Sequence, residues 1–421
     1  MEKIEVNYKN KKRYKTAKYP IRQPRFLTWL IWFLSKIALM NKKYAIEKIN
    51  MEGLKPPYFM LSNHQYFIDF ELASQVTYPY RVNNVINIDG YCKRAWLMEL
   101  IGGICTRKFT NDIHLIKSIK KVFERGDIVG MYPEARYSPC GITSYIPDSV
   151  AKLIKKCKVP VVVIIHHGNH LHTPFWNFRK KRKVPLYTKA TQILTKEQIE
   201  AMSVSEIDKI LKEAFYYDEY KYQKDHNILI TEKYRAEGMH KILYQCPNCK
   251  TEHKMNSLGT EIFCEACGKR WNLEEDGTLK ALNGETEFTH VPDWFNWERS
   301  EVNKQVQNGT YSFEDDVIVY SMPRTTSFMY LGPGKVKHTI EDGFTLEGYY
   351  NNALYRILRR PEQANSLHIE YDYCHIKPYD CFDITTEDDC YFCYPTKQNV
   401  ITKLGFATEE IYRLYMEKIK R

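Results

Sequence analysis

Two short polar motifs carry side chains that together could move a proton and hold an anion. In the first, Asn63-His64, the His stands five positions before Asp69. A His beside a carboxylate is a general-base arrangement, because the Asp orients the ring and stabilises the imidazolium that forms. Five residues of regular helix would leave the two side chains roughly 140° apart. The pair therefore predicts a His at a strand end or a helix N-terminus, with a turn before Asp69.

The second motif is Tyr132-Pro-Glu134-Ala-Arg136-Tyr137, which directly follows an apolar run. A carboxylate and a guanidinium at the carboxyl end of a strand lie where open α/β sheets bind ligands, and Arg suits forked recognition of phosphate. Arg107 stands about 25 residues earlier in the chain and is a second candidate cation. Taken singly, each of these groups is equally typical of a solvated surface ion pair.

Short apolar runs alternate with amphipathic stretches around these motifs. This alternation predicts an α/β fold, with a mixed sheet flanked by helices. The predicted strands are 58–61, 128–132 and 159–165, and the predicted helices are 112–125 and 150–156. A further charged helix is expected over 203–222. Both motifs then follow strand ends, as the chemistry requires.

Changes in composition and hydrophobic pattern divide the chain into four parts. A basic N-terminus with an apolar helix covers 1–50, and the α/β domain covers 51–235. A cysteine-rich segment covers 241–275. Short β-type runs separated by turns fill 285–421 and end in an amphipathic helix, so we expect a β-rich domain closed by a helix. Its strand count and last helix faintly resemble a pleckstrin-homology domain.

Charge points to an anionic partner. The 421 residues carry a net charge of +11, and the first 25 contain nine Lys and Arg against two Glu. The apolar segment 26–40 follows, and as a helix it would span about 22 Å, short of the ~30 Å hydrocarbon core. Its Trp residues and basic flank favour a helix lying in a membrane interface. A buried core helix, a true span and a signal peptide are the alternatives.

Four cysteines form two C-x-x-C pairs, 14 residues apart: Cys246, Cys249, Cys264 and Cys267. Two such knuckles close a tetrahedral thiolate site with no open position for chemistry, which predicts a structural zinc ribbon. A disulfide or redox role is the alternative. The His-rich segment 166–172, in the α/β domain, has no Cys or carboxylate next to it in sequence. It is expected to cap the end of the strand 159–165 rather than bind metal.

The motifs, taken in this order, resemble the glycerolipid acyltransferase family, whose common members are 1-acylglycerol-3-phosphate acyltransferases. Asn63-His64 to Asp69 matches the family's His-x4-Asp motif, and Arg107 matches the Arg of its second motif. Tyr132-Pro-Glu134 matches its Phe-Pro-Glu-Gly motif, and Val159-Pro-Val161 its fourth. The resemblance covers about residues 26–200, less than half of the chain.

The resemblance implies an acyltransferase that moves a fatty acyl group from acyl-CoA or acyl carrier protein to a lysophospholipid. The expected acceptor is 1-acylglycerol 3-phosphate and the expected product is phosphatidate. His64 and Asp69 would be catalytic, while Asn63, Arg107, Glu134 and Arg136 would bind substrate. No catalytic metal and no nucleic acid are expected, and the protein would lie in the cytoplasm, peripherally bound to an anionic membrane surface.

One departure bears on the acceptor. The family usually reads Pro-Glu-Gly-Thr-Arg, whereas here Ala135 replaces the Gly, Arg136 comes one position early and Tyr137 takes the usual Arg place. Ala is not expected to adopt the positive φ that is open to Gly. Two other function classes stay open: a nucleic-acid-binding zinc-ribbon protein, and a lipid-binding protein without catalytic activity.

Overall fold

The computed structural model describes residues 18–110, 112–325, 327–377 and 379–420. The chain forms two compact units. Among the described residues, the first unit comprises 18–106 and 112–230, and the second comprises 107–110 and the residues from 231 onward.

The first unit is built on a mixed seven-stranded sheet. Its strands are β1 (Tyr44–Ile49), β2 (Phe59–Ser62), β3 (Val82–Asn87), β4 (Ile104–Thr106), β5 (Ile128–Met131), β6 (Val161–His167) and β7 (Leu186–Leu194). They lie in the order β1-β7-β6-β2-β5-β3-β4. All neighbours are parallel except β6 and β7, which are antiparallel.

Helices cover both faces of this sheet. They are α1 (Arg25–Leu39), α2 (Ile68–Thr77), α3 (Ala95–Leu100), α4 (Ile113–Glu124), α5 (Ser149–Cys157), α6 (Asn169–His172), α7 (Lys196–Ala201), α8 (Val204–Ala214) and α9 (Glu219–Asp225). Side chains alternate along β2, so Phe59 and Leu61 join one apolar core while Met60 joins another on the opposite face. This confirms the predicted α/β class.

Side-chain caps fix the local boundaries of several helices. The side chain of Asp112 accepts a hydrogen bond from Leu115 N at 2.9 Å and caps the start of α4.

The expectation of one helix over 203–222 is wrong, because α8 ends at Ala214 and a separate helix, α9, begins at Glu219. There the side chain of Asp218 accepts from Lys221 N at 2.9 Å.

The second unit contains two antiparallel sheets. The smaller one orders β8 (Met255–Leu258), β9 (Glu261–Cys264), β10 (Arg270–Leu273) and β11 (Leu279–Ala281) as β11-β10-β9-β8. The larger one contains β12 (Ser312–Ser321), β13 (Met329–Thr339), β14 (Gly343–Tyr350), β15 (Ala353–Arg359), β16 (His368–Glu370), β17 (Cys381–Thr385) and β18 (Cys390–Pro395). Its order is β15-β14-β13-β12-β18-β17-β16.

Two helices complete the second unit. These are α10 (Val291–Gln307) and α11 (Ile401–Lys420), and they pack through Phe295 and Phe406, whose ring centroids lie 4.7 Å apart. The β-rich region therefore ends in a helix, as the sequence predicts. No helix among the described residues is both long and apolar enough to cross a membrane.

Candidate functional site

The loop between β2 and α2 brings His64 and Asp69 together. His64 Nδ1 lies 3.0 Å from Asp69 Oδ2, so the turn required between them is present. The same oxygen accepts hydrogen bonds from Gln65 N at 2.6 Å and Tyr66 N at 3.0 Å. These backbone bonds fix the carboxylate, and the carboxylate in turn fixes the imidazole.

Asp69 is fully buried and remains the charged partner of the pair. Burial alone raises its pKa, but the hydrogen bond from His64, electrostatic attraction from the neighbouring histidines and the hydrogen bond from Asn169 together outweigh burial, so the pKa lies below its usual value. Asn169 donates to Asp69 Oδ1 at 2.6 Å. An ionised carboxylate can only accept, so His64 Nδ1 carries the proton and Nε2 is the basic nitrogen.

Polar groups of β6, the strand next to β2 in the sheet, surround the end of β2 from which His64 follows. Asn63 donates to His166 O at 3.0 Å and accepts from His166 N at 2.8 Å, which ties the end of β2 to β6. Burial lowers the pKa of His166 to about 4 and that of His170 to about 3. Both rings are therefore neutral, buried groups, His166 in β6 and His170 in the following α6.

The loop after β5 contacts the imidazole through aromatic rings. The ring centroid of His64 lies 3.9 Å from that of Tyr132 and 4.3 Å from that of Tyr137. Ser138 N donates to His64 O at 2.8 Å, which holds the two loops together. The sequence motif identified this loop, but nothing in the residue spacing indicated that its rings stack on His64.

Ala135 turns this loop with φ = 55°. The expectation that Ala does not adopt a positive φ at this position is therefore wrong. The left-handed conformation brings the Cβ close to the following carbonyl oxygen and costs roughly 1–2 kcal/mol for a residue other than Gly. The surrounding hydrogen bonds hold the loop in this conformation.

Glu134 and Arg136 are both buried. Glu134 Oε2 accepts from Ser144 N at 2.7 Å and from the hydroxyl of Tyr217 at 3.2 Å. Burial raises the pKa of Glu134 to about 7. The carboxylate therefore anchors the loop to residues 144 and 217, and the predicted binding of substrate by Glu134 and Arg136 stays a prediction.

Arg107 belongs to the short segment 107–110, which groups with the second unit. The side chain is buried. Two residues on, Phe109 O accepts a hydrogen bond from Arg359 Nη2 at the end of β15. No sequence pattern indicates this grouping, because the segment lies between β4 and α4 of the first unit. Its predicted role toward the acceptor stays a prediction.

The four predicted cysteine ligands converge around the end of β9 in the second unit. All four Sγ atoms lie within 4.8 Å of one another, and the Cys246–Cys267 and Cys249–Cys264 pairs are each 3.7 Å apart. A tetrahedral ion with bonds of ~2.3 Å separates its sulfurs by about 3.8 Å, so the cluster fits zinc. Within the described residues, this is the one group of His, Cys, Asp and Glu compact enough to share an ion.

Comparison with known proteins gives distant structural likeness only. No family model matches the chain, and no curated protein matches it. The crystal structure of PlsC, the 1-acyl-sn-glycerophosphate (LPA) acyltransferase from Thermotoga maritima, is similar with a TM-score of 0.37 and 14% identity. The match covers 45% of this chain and 78% of that chain. Similarity at this level does not establish membership of a family.

Proposed function

We propose that the protein is an O-acyltransferase that moves a fatty acyl group from a thioester to a hydroxyl of a lysophospholipid. The observation that carries the proposal is the His64–Asp69 pair, with the imidazole 22% exposed and the carboxylate fully buried. A basic nitrogen on a partly exposed ring, held by a fixed anion, can take a proton from an alcohol. The thioester donor is acyl-CoA or acyl carrier protein.

The proposed reaction proceeds through direct attack. His64 Nε2 removes the acceptor's hydroxyl proton as that oxygen attacks the thioester carbonyl, forming a tetrahedral oxyanion. The C–S bond then breaks, and the departing thiolate takes the proton from the imidazolium. Asp69 keeps the ring in the correct tautomer and stabilises its positive form throughout.

The acceptor assignment rests on the resemblance of the motifs. With Arg107, Glu134 and Arg136 as its binding residues, the acceptor would be 1-acylglycerol 3-phosphate and the product phosphatidate. The net charge of +11 agrees with an anionic acceptor and an anionic donor.

Helix α1 supports contact with a membrane surface. Five of its apolar side chains are exposed and recur at helical spacing: Phe26, Trp29, Phe33, Leu34 and Ile37. Leu27 and Leu39 are instead buried, so the helix is amphipathic and packs on the domain with one side. The exposed side would enter the headgroup region of an anionic bilayer, giving a peripheral protein of the cytoplasm.

The cysteine cluster would hold a structural zinc ion. Its four thiolates fill a tetrahedral site, so the ion would fold the small sheet and take no part in the transfer. Native mass spectrometry of protein expressed with zinc should find one ion per chain, and a chain without metal would contradict this assignment.

The activity is tested by acyl transfer from labelled acyl-CoA and acyl carrier protein to a panel of lysophospholipids. The panel includes 1-acylglycerol 3-phosphate, and wild type is compared with His64→Ala. Transfer that depends on His64 supports the proposal. Transfer that is equal in both proteins, or absent with every acceptor, would contradict it.

Membrane contact is tested by flotation with anionic vesicles. The double variant Trp29→Ser, Phe33→Ser removes exposed rings from α1, whereas Leu258→Ser and Leu282→Ser remove exposed apolar side chains of the second unit. We expect the first variant to lose vesicle binding and the control to keep it. Equal binding of both would contradict a role for α1.

A further inference from the structure

Two tyrosines of one loop hold the imidazole of His64. The rings of His64 and Tyr132 are stacked, with an interplanar angle of 21° and a centroid distance of 3.9 Å. Tyr137 lies 4.3 Å away at 42°. Both contacts come from the segment that links β5 to Ser138, so one loop places two aromatic rings against the ring that takes the proton.

The loop is braced on several sides. Glu134, between the two tyrosines, is anchored by Ser144 and Tyr217, as described above. The ring of Tyr137 also packs against Phe175 at 5.4 Å and Tyr66 at 6.1 Å. These contacts restrict the Tyr137 ring, so its position against His64 is built into the fold.

An aromatic face is electrically negative and attracts a cation within about 6 Å of its centroid. Neutral imidazole gains little from this field, whereas imidazolium gains more. A base that becomes positive during the reaction is therefore stabilised in the charged state and not in the resting state. An interaction that is stronger in the transition state than in the ground state raises the rate of the chemical step.

We propose that Tyr132 and Tyr137 are positioning residues that hold the His64 ring and stabilise its protonated form during acyl transfer. This inference rests on the proposed function. Tyrosine hydroxyls are not required for it, since the ring faces make the contact. The carboxylate of Asp69 and the buried, neutral ring of His166 also act on His64. Burial raises the pKa of Tyr132, so its phenol stays neutral.

The test compares ring removal with hydroxyl removal at each position. Tyr132→Leu and Tyr137→Leu remove the aromatic face, whereas Tyr132→Phe and Tyr137→Phe keep it. We expect each Leu variant to lower kcat roughly 3- to 30-fold with little change in KM, and each Phe variant to stay within about 2-fold of wild type. The acidic limb of the pH–rate profile should move to lower pH in the Leu variants only, because the imidazolium loses its stabilisation.

A second readout does not depend on activity. NMR titration of isotope-labelled His64 should give a lower midpoint in the Leu variants than in their Phe counterparts, and circular dichroism checks that each variant is folded. Equal midpoints in Leu and Phe variants would overturn the inference, and so would equal kcat values. Loss of activity in the Phe variants as well would assign the effect to the hydroxyls and also overturn it. The proposed function has a test of its own, because it is contradicted if His64→Ala keeps full acyl transfer.

Discussion

Among the described residues, each unit contains a His–Asp pair, and the two pairs differ in how exposed their imidazole rings are. In both, Nδ1 faces an Asp Oδ2: His64 with Asp69, and His368 with Asp383. The side chain of His64 is 22% exposed, whereas that of His368 is 2% exposed. Both pairs join Nδ1 to a carboxylate, but only the first imidazole is partly exposed.

The second pair is a buried ion cluster. His368 Nε2 lies 3.0 Å from Glu370 Oε1, so both of its nitrogens face carboxylates. Burial alone lowers the pKa of His368, but the two carboxylates outweigh burial and raise it to about 9. The ring is therefore already protonated at neutral pH and cannot act as a base. A His–Asp pair is a candidate catalyst only when the second nitrogen is accessible and basic.

The first prediction concerns the carboxylate of the His64–Asp69 pair. Asp69→Asn removes the charge that stabilises the imidazolium and allows the wrong tautomer, so kcat should fall roughly 10²- to 10⁴-fold. Steady-state kinetics of acyl transfer measures this. Retention of activity within a few-fold of wild type would show that Asp69 does not assist His64.

The second prediction concerns the carboxylate of the buried pair. Asp383→Asn leaves His368 beside a neutral amide and should lower the free energy of unfolding by roughly 3–5 kcal/mol. Calorimetric unfolding measures this, with Asp342→Asn as the control, because Asp342 is 65% exposed beside Arg360. The control should change stability by less than about 0.5 kcal/mol. Equal effects of the two substitutions would contradict the buried ion cluster.

The third prediction is a pH dependence of stability. The pKa of His368 is raised from 6.5 to about 9 in the folded state, so its contribution is fully present below 6.5 and is lost as pH rises through about 9. The melting temperature of wild type should therefore fall over this window more steeply than that of His368→Gln. Parallel curves for the two proteins would rule out this source of stability.

The fourth prediction concerns the loop after β5, which contacts His64 of the His64–Asp69 pair. Ala135→Gly relieves the strain of a φ of 55°, which costs roughly 1–2 kcal/mol. The greater entropy of Gly in the unfolded chain offsets part of this gain, so the free energy of unfolding should rise by a net value of up to roughly 1 kcal/mol. Ala151→Gly, inside α5, is the control and should lower stability by at least about 1 kcal/mol. Thermal unfolding distinguishes the two, and a loss of stability in Ala135→Gly would contradict strain at this position.

The His64–Asp69 pair could be predicted from sequence because the two residues are close together in the chain. A buried strand, a turn and a helix start within seven residues bring His64 to Asp69. The cysteine cluster was predictable for the same reason, since its spacing alone defines two knuckles. The contacts of Tyr132 and Tyr137 with His64 were not, because they join two loops that are far apart in sequence, and the second loop contains a left-handed Ala135 that its residue type disfavours.

The buried pair was not predictable because it depends on strand register. His368 and Asp383 are direct partners across the antiparallel pairing of β16 and β17, and β17 did not stand out as a separate apolar run. Helix α10 was also missed, since its Trp and Phe residues resemble the surrounding β-type sequence. The grouping of residues 107–110 with the second unit is likewise a tertiary property that no local pattern encodes.

The most direct measurement is kcat/KM for acyl transfer at neutral pH in His64→Ala and His368→Gln, each assayed below its melting temperature. Removing the base should lower kcat/KM by at least about 10²-fold, whereas removing the buried cation should leave it within about 3-fold of wild type. Equal losses in the two variants, or no loss in His64→Ala, would contradict the assignment of His64 as the catalytic base.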